Sequence, residues 1–161
     1  MPSPVVYDVN VLVQAALGRR SEFTTWPVLP PTTGNPAADC LGVVNDCREF
    51  ALWLSPHILD NTRRVLEHAG LSPSTVSQYL DVLDEIAVAS DGAVVEPDRT
   101  VHECPDHEDN LILDLAADVG ALIIVSDDTD LTAMSPWRAT PILRPAEFAN
   151  RVDAMRRARR R

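Results

Sequence analysis

Two short apolar runs, far apart in the chain, each end in an acid. Leu122-Ile123-Ile124-Val125 leads into Ser126-Asp127-Asp128-Thr129-Asp130, and Val5-Val6-Tyr7 leads into Asp8. An apolar, largely β-branched run of this length, bounded by turn residues, reads as a strand buried on both faces. Ligands of an open α/β sheet sit beyond the carboxyl ends of the strands. Acids placed there face a potential site, whereas acids along the strand would face the core.

The rest of the chain supplies the helices that such a sheet needs. Apolar residues at Val9, Leu12, Val13, Ala16 and Leu17 form a helical stripe directly after Asp8. Residues 18–36 break all periodicity with Gly18, Pro27, Pro30, Pro31, Gly34 and Pro36, so they read as a long loop: a lid, a partner-binding arm or a neutral insertion. Helix is expected over 36–44, strand over 50–54, and helix over 56–69 with Ser55 as its cap and Pro56 at its first position. A further helix starts at Ser72-Pro73, a short strand is expected at 94–95, and a helix runs over 106–119 until Gly120 stops it. The strand at 122–125, an edge strand at 141–143 and a closing helix over 145–155 complete the order. Alternating strands and helices predict βαβ units and a central parallel sheet of four to five strands.

At 161 residues the chain is one ordinary domain. We divide it into a body, 1–150, and an arginine-rich tail, 151–161. The tail holds six of the fourteen basic residues and one of the 24 acids, and the chain has no lysine. A body this acidic repels nucleic acid in general, so a phosphate substrate must be held locally, by a cation or by the tail. Cys40, Cys47 and Cys104 show no metal-ligand spacing, and a reduced, cytoplasmic setting is expected. A strand beginning after four residues leaves no room for a signal peptide. No apolar run reaches the ~18–20 residues of a membrane span.

Asp106-x-x-Asp109 opens the helix that feeds the 122–125 strand. That helix runs antiparallel to the strand, so its start lies at the sheet end where Asp128 emerges, shared with Asp8. Three carboxylates within ~4–5 Å repel by a few kcal/mol per pair even at an effective dielectric of about 20. Protons or a hard, oxygen-preferring cation such as Mg²⁺ or Mn²⁺ must neutralise them. His57, His68, His102 and His107 lack paired spacing, which argues against zinc. There is no P-loop, GxGxxG or nucleophile elbow, and a receiver-like pocket would need a lysine. Metal-assisted phosphodiester hydrolysis fits what remains.

Val6-Tyr7-Asp8-Val9-Asn10-Val11-Leu12, the Asp106-x-x-Asp109 helix start and Val125-Ser126-Asp127-Asp128-Thr129-Asp130-Leu131 together resemble the PIN-domain family, especially its VapC-like toxin branch. Pro145-Ala146-Glu147-Phe148 resembles the ending of that branch, so the likeness runs over 4–149. It implies a three-layer α/β/α fold and a Mg²⁺- or Mn²⁺-dependent ribonuclease, commonly neutralised by an antitoxin and often a homodimer. By the match, Asp8, Asp109 and Asp128 hold the metal, Ser126 organises the site, and Asn10 sits beside the first acid. Asp106 and Asp130 are accessory acids or helix caps.

One departure stands out. The family carries a glutamate in the helix after the second strand, and this chain has Asn61 there. At about 100° per residue, Asn61 flanks the inward face set by Ile58, Leu59, Thr62, Val65, Leu66 and Ala69. Asp60 lies nearly opposite, as a solvent-facing partner for Arg63 or Arg64. An amide in place of a carboxylate removes one negative charge. That predicts weaker metal binding, and leaves open a catalytically weakened domain used to bind RNA or protein. In the tail, Arg156, Arg157, Arg159, Arg160 and Arg161 are candidates for RNA phosphate contacts; a disordered, solubilising end is the alternative.

Overall fold

A computed structural model describes residues 1–18 and 34–161. Of the 18–36 loop, residues 19–33 therefore lie outside the described part. Among the described residues the chain folds in the order β1 (Ser3–Tyr7), α1 (Val9–Leu17), α2 (Pro36–Asn45), β2 (Phe50–Leu54), α3 (Pro56–His68) and α4 (Pro73–Ala89). It continues with β3 (Ala93–Val94), α5 (His107–Val119), β4 (Ile123–Val125), α6 (Thr129–Thr132), β5 (Ile142–Leu143) and α7 (Pro145–Ala158).

The five strands form one parallel sheet in the order β3-β2-β1-β4-β5. The central strand is β1, where Val5, Val6 and Tyr7 are all fully buried, which requires helices on both faces of the sheet. The result is an α/β/α sandwich. Tyr7 aligns with Val125 across the β1–β4 ladder, so Asp8 and Ser126 leave adjacent strands at the same level. Strand order, rather than nearness in sequence, brings the two acidic segments together.

The local signals explain the element ends. Ser55 Oγ accepts from Ile58 N at 3.2 Å and Ser72 Oγ from Thr75 N at 3.2 Å, each just before a first-turn proline. Gly120 closes α5 with φ 62°, a left-handed backbone that glycine adopts without cost. Two buried tyrosines satisfy their hydroxyls while tying one element to another. Tyr79 of α4 donates to Leu12 O of α1 at 2.6 Å, and Tyr7 donates to Cys40 O of α2 at 2.6 Å. The first of these bonds ties α4 to α1, which carries Asp8 at its start.

Several boundaries move. Leu122 lies before β4 and is half exposed, and its N–H donates to Pro4 O at 2.8 Å. β3 starts one residue earlier than expected, at Ala93, although Val95 N still bonds Leu54 O at 2.9 Å. The closing helix does not fray after Met155. It continues to Ala158, held by an Arg157–Asp153 pair one turn apart and by Arg156, which reaches Glu49 and Asp46.

Candidate metal centre at the carboxyl end of the sheet

Asp8 caps α1. Its Oδ1 accepts from Val9 N at 2.7 Å, and its Oδ2 accepts from Ser126 Oγ at 2.7 Å and Asn10 Nδ2 at 3.2 Å. The carboxylate is buried, and burial raises its pKa against the opposing effect of those donors. Ser126, fully buried, also accepts from Asp128 N at 3.0 Å. One hydroxyl thus joins the first acid to the backbone of the last. Asn10 makes a second tie, accepting from Asp127 N at 3.1 Å.

Asp109 sits in the first turn of α5, buried, beside Asp128. Its pKa is pushed up to about 7, first by burial, then by the charges of Asp128, Asp106 and Asp8, and by a hydrogen bond with Asp128. Asp128 also caps α6, with Oδ1 accepting from Asp130 N at 2.8 Å. Asp106 caps α5 by accepting from Glu108 N at 2.9 Å. Asp130 is exposed and meets Asp128 through its backbone only.

Asp8, Asp109, Asp128, Asn10 and Asn61 line one open cavity of about 360 Å³, with Asp106 at its edge. Among the described residues no three His, Cys, Asp or Glu side chains are already drawn together as a metal-holding group. Asp109 and Asp128 face one another in this cavity, and Asp8 is tied to the Asp128 backbone through Ser126. The donor set fits a hard divalent cation, because it is all oxygen and its mutual repulsion calls for a positive charge.

Asn61 faces this cavity and Asp60 faces solvent, as the helical phase requires. Asp60 is not the partner of either arginine. Arg63 pairs with Glu67 at 3.7 Å, and Arg64 lies 3.5 Å from Glu108. Asn61 is itself engaged, with Oδ1 accepting from Arg64 Nη2 at 3.1 Å and Nδ2 2.9 Å from His57 Nε2.

A profile described as the PIN domain matches residues 4–130, which includes Asp8, Asp109 and Asp128. The chain belongs to the PIN-domain family. No curated protein matches it. PIN domains are generally nucleases that typically use divalent metal ions, and this PIN domain presents its acids where the fold places a ligand. Among the described residues no helix is long and apolar enough to cross a membrane.

Sequence reasoning missed the groups that set the acids in place. Asp114, buried within α5, accepts from Thr100 N at 2.8 Å and Val101 N at 2.7 Å. Asn110 brackets Cys104, accepting from its N–H at 2.8 Å and donating to its carbonyl at 3.0 Å. These bonds clamp the 100–106 segment onto α5 and so anchor the start of the helix that carries Asp109. The visible signal was polar residues interrupting the apolar run Leu111-Ile112-Leu113-Asp114-Leu115. His57 and Glu108, which also line the PIN-domain cavity, gave no such signal.

The tail candidates divide. The Arg156 side chain is largely buried, with Nε and Nη2 on Glu49 and Nη1 on Asp46 at 2.6 Å. It closes a structural ion pair and is no free cation for RNA. Arg157 pairs with Asp153. Arg159, Arg160 and Arg161 are exposed at the end of the chain.

Proposed function

We propose that this PIN domain is a Mg²⁺- or Mn²⁺-dependent endoribonuclease, and the toxin of a toxin–antitoxin pair. The observation that carries the reading is the convergence of Asp8, Asp109 and Asp128 on one cavity, with Ser126 Oγ bonded both to Asp8 Oδ2 and to Asp128 N. Burial and mutual repulsion raise the proton affinity of Asp109, and a group so placed is poised to exchange a proton for a divalent ion.

Asp8, Asp109 and Asp128 would hold that ion. When bound, it would make a water more acidic and offset charge on the attacked phosphate. Ser126 keeps Asp8 Oδ2 and the Asp128 backbone in fixed relation, and Asn10 pins the Asp127 backbone beside them. Asp106 and Asp130 act through the helix starts they occupy. The catalytic unit spans 1–150. The tail, 151–161, continues α7 and offers Arg159, Arg160 and Arg161 to RNA phosphates. The toxin role is supported by the VapC-like ending at Pro145-Ala146-Glu147-Phe148, and its partner would be an antitoxin that covers the cavity.

Cleavage of RNA in Mn²⁺, abolished by EDTA and by Asp8→Asn or Asp128→Asn, is the expected result. Cleavage that survives in both variants would refute the assignment. Rescue of growth on co-expression with a small neighbouring reading frame would establish the toxin role.

A further inference from the structure

Arg64 contacts two residues that line the acidic cavity. Its Nη2 donates to Asn61 Oδ1 at 3.1 Å and lies 3.5 Å from Glu108 Oε1, so one guanidinium joins α3 to the first turn of α5. Asn61 and Glu108 both line the cavity that holds Asp8, Asp109 and Asp128. Arg63, its neighbour in sequence, turns away to Ser77 Oγ of α4 at 3.2 Å and to Glu67. Two adjacent arginines therefore serve different surfaces, and only one of them reaches the site.

We propose that Arg64 is a substrate-binding residue that takes a phosphate of the RNA adjoining the one cleaved; this rests on the ribonuclease reading above. A cavity lined by carboxylates repels the substrate backbone, and a cation at its lip offsets that repulsion. The guanidinium presents a planar fork that matches two phosphate oxygens. Its hold on Glu108 is loose. The contact is long and both side chains are more than half exposed, at 68% and 55%, a setting in which ion pairs contribute little. A phosphate can therefore replace Glu108 at small cost.

Asn61 is what makes the placement possible. Its Nδ2 turned toward His57 Nε2 leaves Oδ1 facing Arg64, so the amide orients the cation without cancelling its charge. A glutamate at this position would neutralise it. The charge lost to the metal side of the cavity thus becomes a gain on the phosphate side.

The test is fluorescence anisotropy with a short labelled single-stranded RNA in Ca²⁺, across a salt series, on wild type, Arg64→Ala, Arg64→Lys and Arg63→Ala. Arg64→Ala should weaken binding roughly tenfold and reduce the salt slope by about 0.7, the share of one phosphate on a single strand. Arg64→Lys should recover the slope and only part of the affinity, and Arg63→Ala should bind as wild type. Calorimetry should show Mn²⁺ affinity undiminished in Arg64→Ala, which separates phosphate binding from metal binding. Equal affinity and slope in Arg64→Ala and Arg63→Ala would overturn the proposal, as would wild type that binds no RNA. Weaker binding by Arg64→Ala in a wild type that cleaves nothing would uphold Arg64 while refuting the nuclease.

Discussion

Ser126 donates its hydroxyl to Asp8 Oδ2 at 2.7 Å across 118 residues of chain. Ser126 Oγ also accepts the Asp128 N–H at 3.0 Å, so the first and last acids of the cavity share one buried atom as their reference point. Removing it would leave a buried carboxylate short of a donor and a backbone N–H without an acceptor.

Ser126→Ala should therefore destabilise the fold by about 2–3 kcal/mol, read from urea unfolding, and reduce Mn²⁺-dependent cleavage at least as strongly as it reduces stability. Ser126→Thr keeps the hydroxyl and should restore cleavage. Equal loss in both variants would assign Ser126 to packing alone.

The metal-free protein should become less stable as pH rises. Asp109 ordinarily titrates at 3.8 and is pushed up to about 7 in the fold, so between those values the folded chain holds a proton that the unfolded chain releases. Stability from this group is full below about pH 4 and is lost as pH passes about 7. Asp8 shifts in the same direction, through its own burial. Glu49 opposes them. Its pKa is lowered by hydrogen bonding to Arg156, so its contribution is present above its ordinary range and lost on acidification. Melting temperatures in EDTA should fall from about pH 5 to about pH 8, and Mn²⁺ or Asp109→Asn should flatten that fall.

Arg156→Ala should cost about 1–3 kcal/mol, because the Glu49 side chain is only 12% exposed and would lose its counter-charge. RNA cleavage at temperatures well below the melting point should be unchanged, since Arg156 is at the opposite end of β2 from the acids. Urea titration and a cleavage assay check both halves.

Asn61→Glu should tighten Mn²⁺ binding about tenfold by adding a charged oxygen ligand to the cavity. The same change would take hold of Arg64, so RNA affinity should fall as metal affinity rises. Calorimetry and anisotropy on one variant read the two effects separately.

Much of the architecture could be read from the residues, for stated reasons. The apolar runs Val5-Val6-Tyr7 and Phe50–Leu54 read as strands, and prolines and serines marked the starts of α3 and α4. Asn61 fell on the inward side of α3 because helical phase alone decides it. Contacts that no period encodes were hidden. Arg156 reaches back to Glu49 across most of the chain, and composition alone made it look like part of a solvated arm. Arg64 meets Glu108 only because α3 and α5 converge at one end of the sheet. α6 is a four-residue helix, too short for a stripe, and its cap Asp128 was read only as a candidate metal ligand.

Calorimetric titration of Mn²⁺ at about pH 6 tests most directly whether the three acids act as one cation site. Wild type should take up one ion with release of a proton, and Asp8→Asn, Asp109→Asn and Asp128→Asn should each weaken uptake by an order of magnitude or more. Uptake unchanged in all three variants, or absent from the wild type, would contradict the shared site.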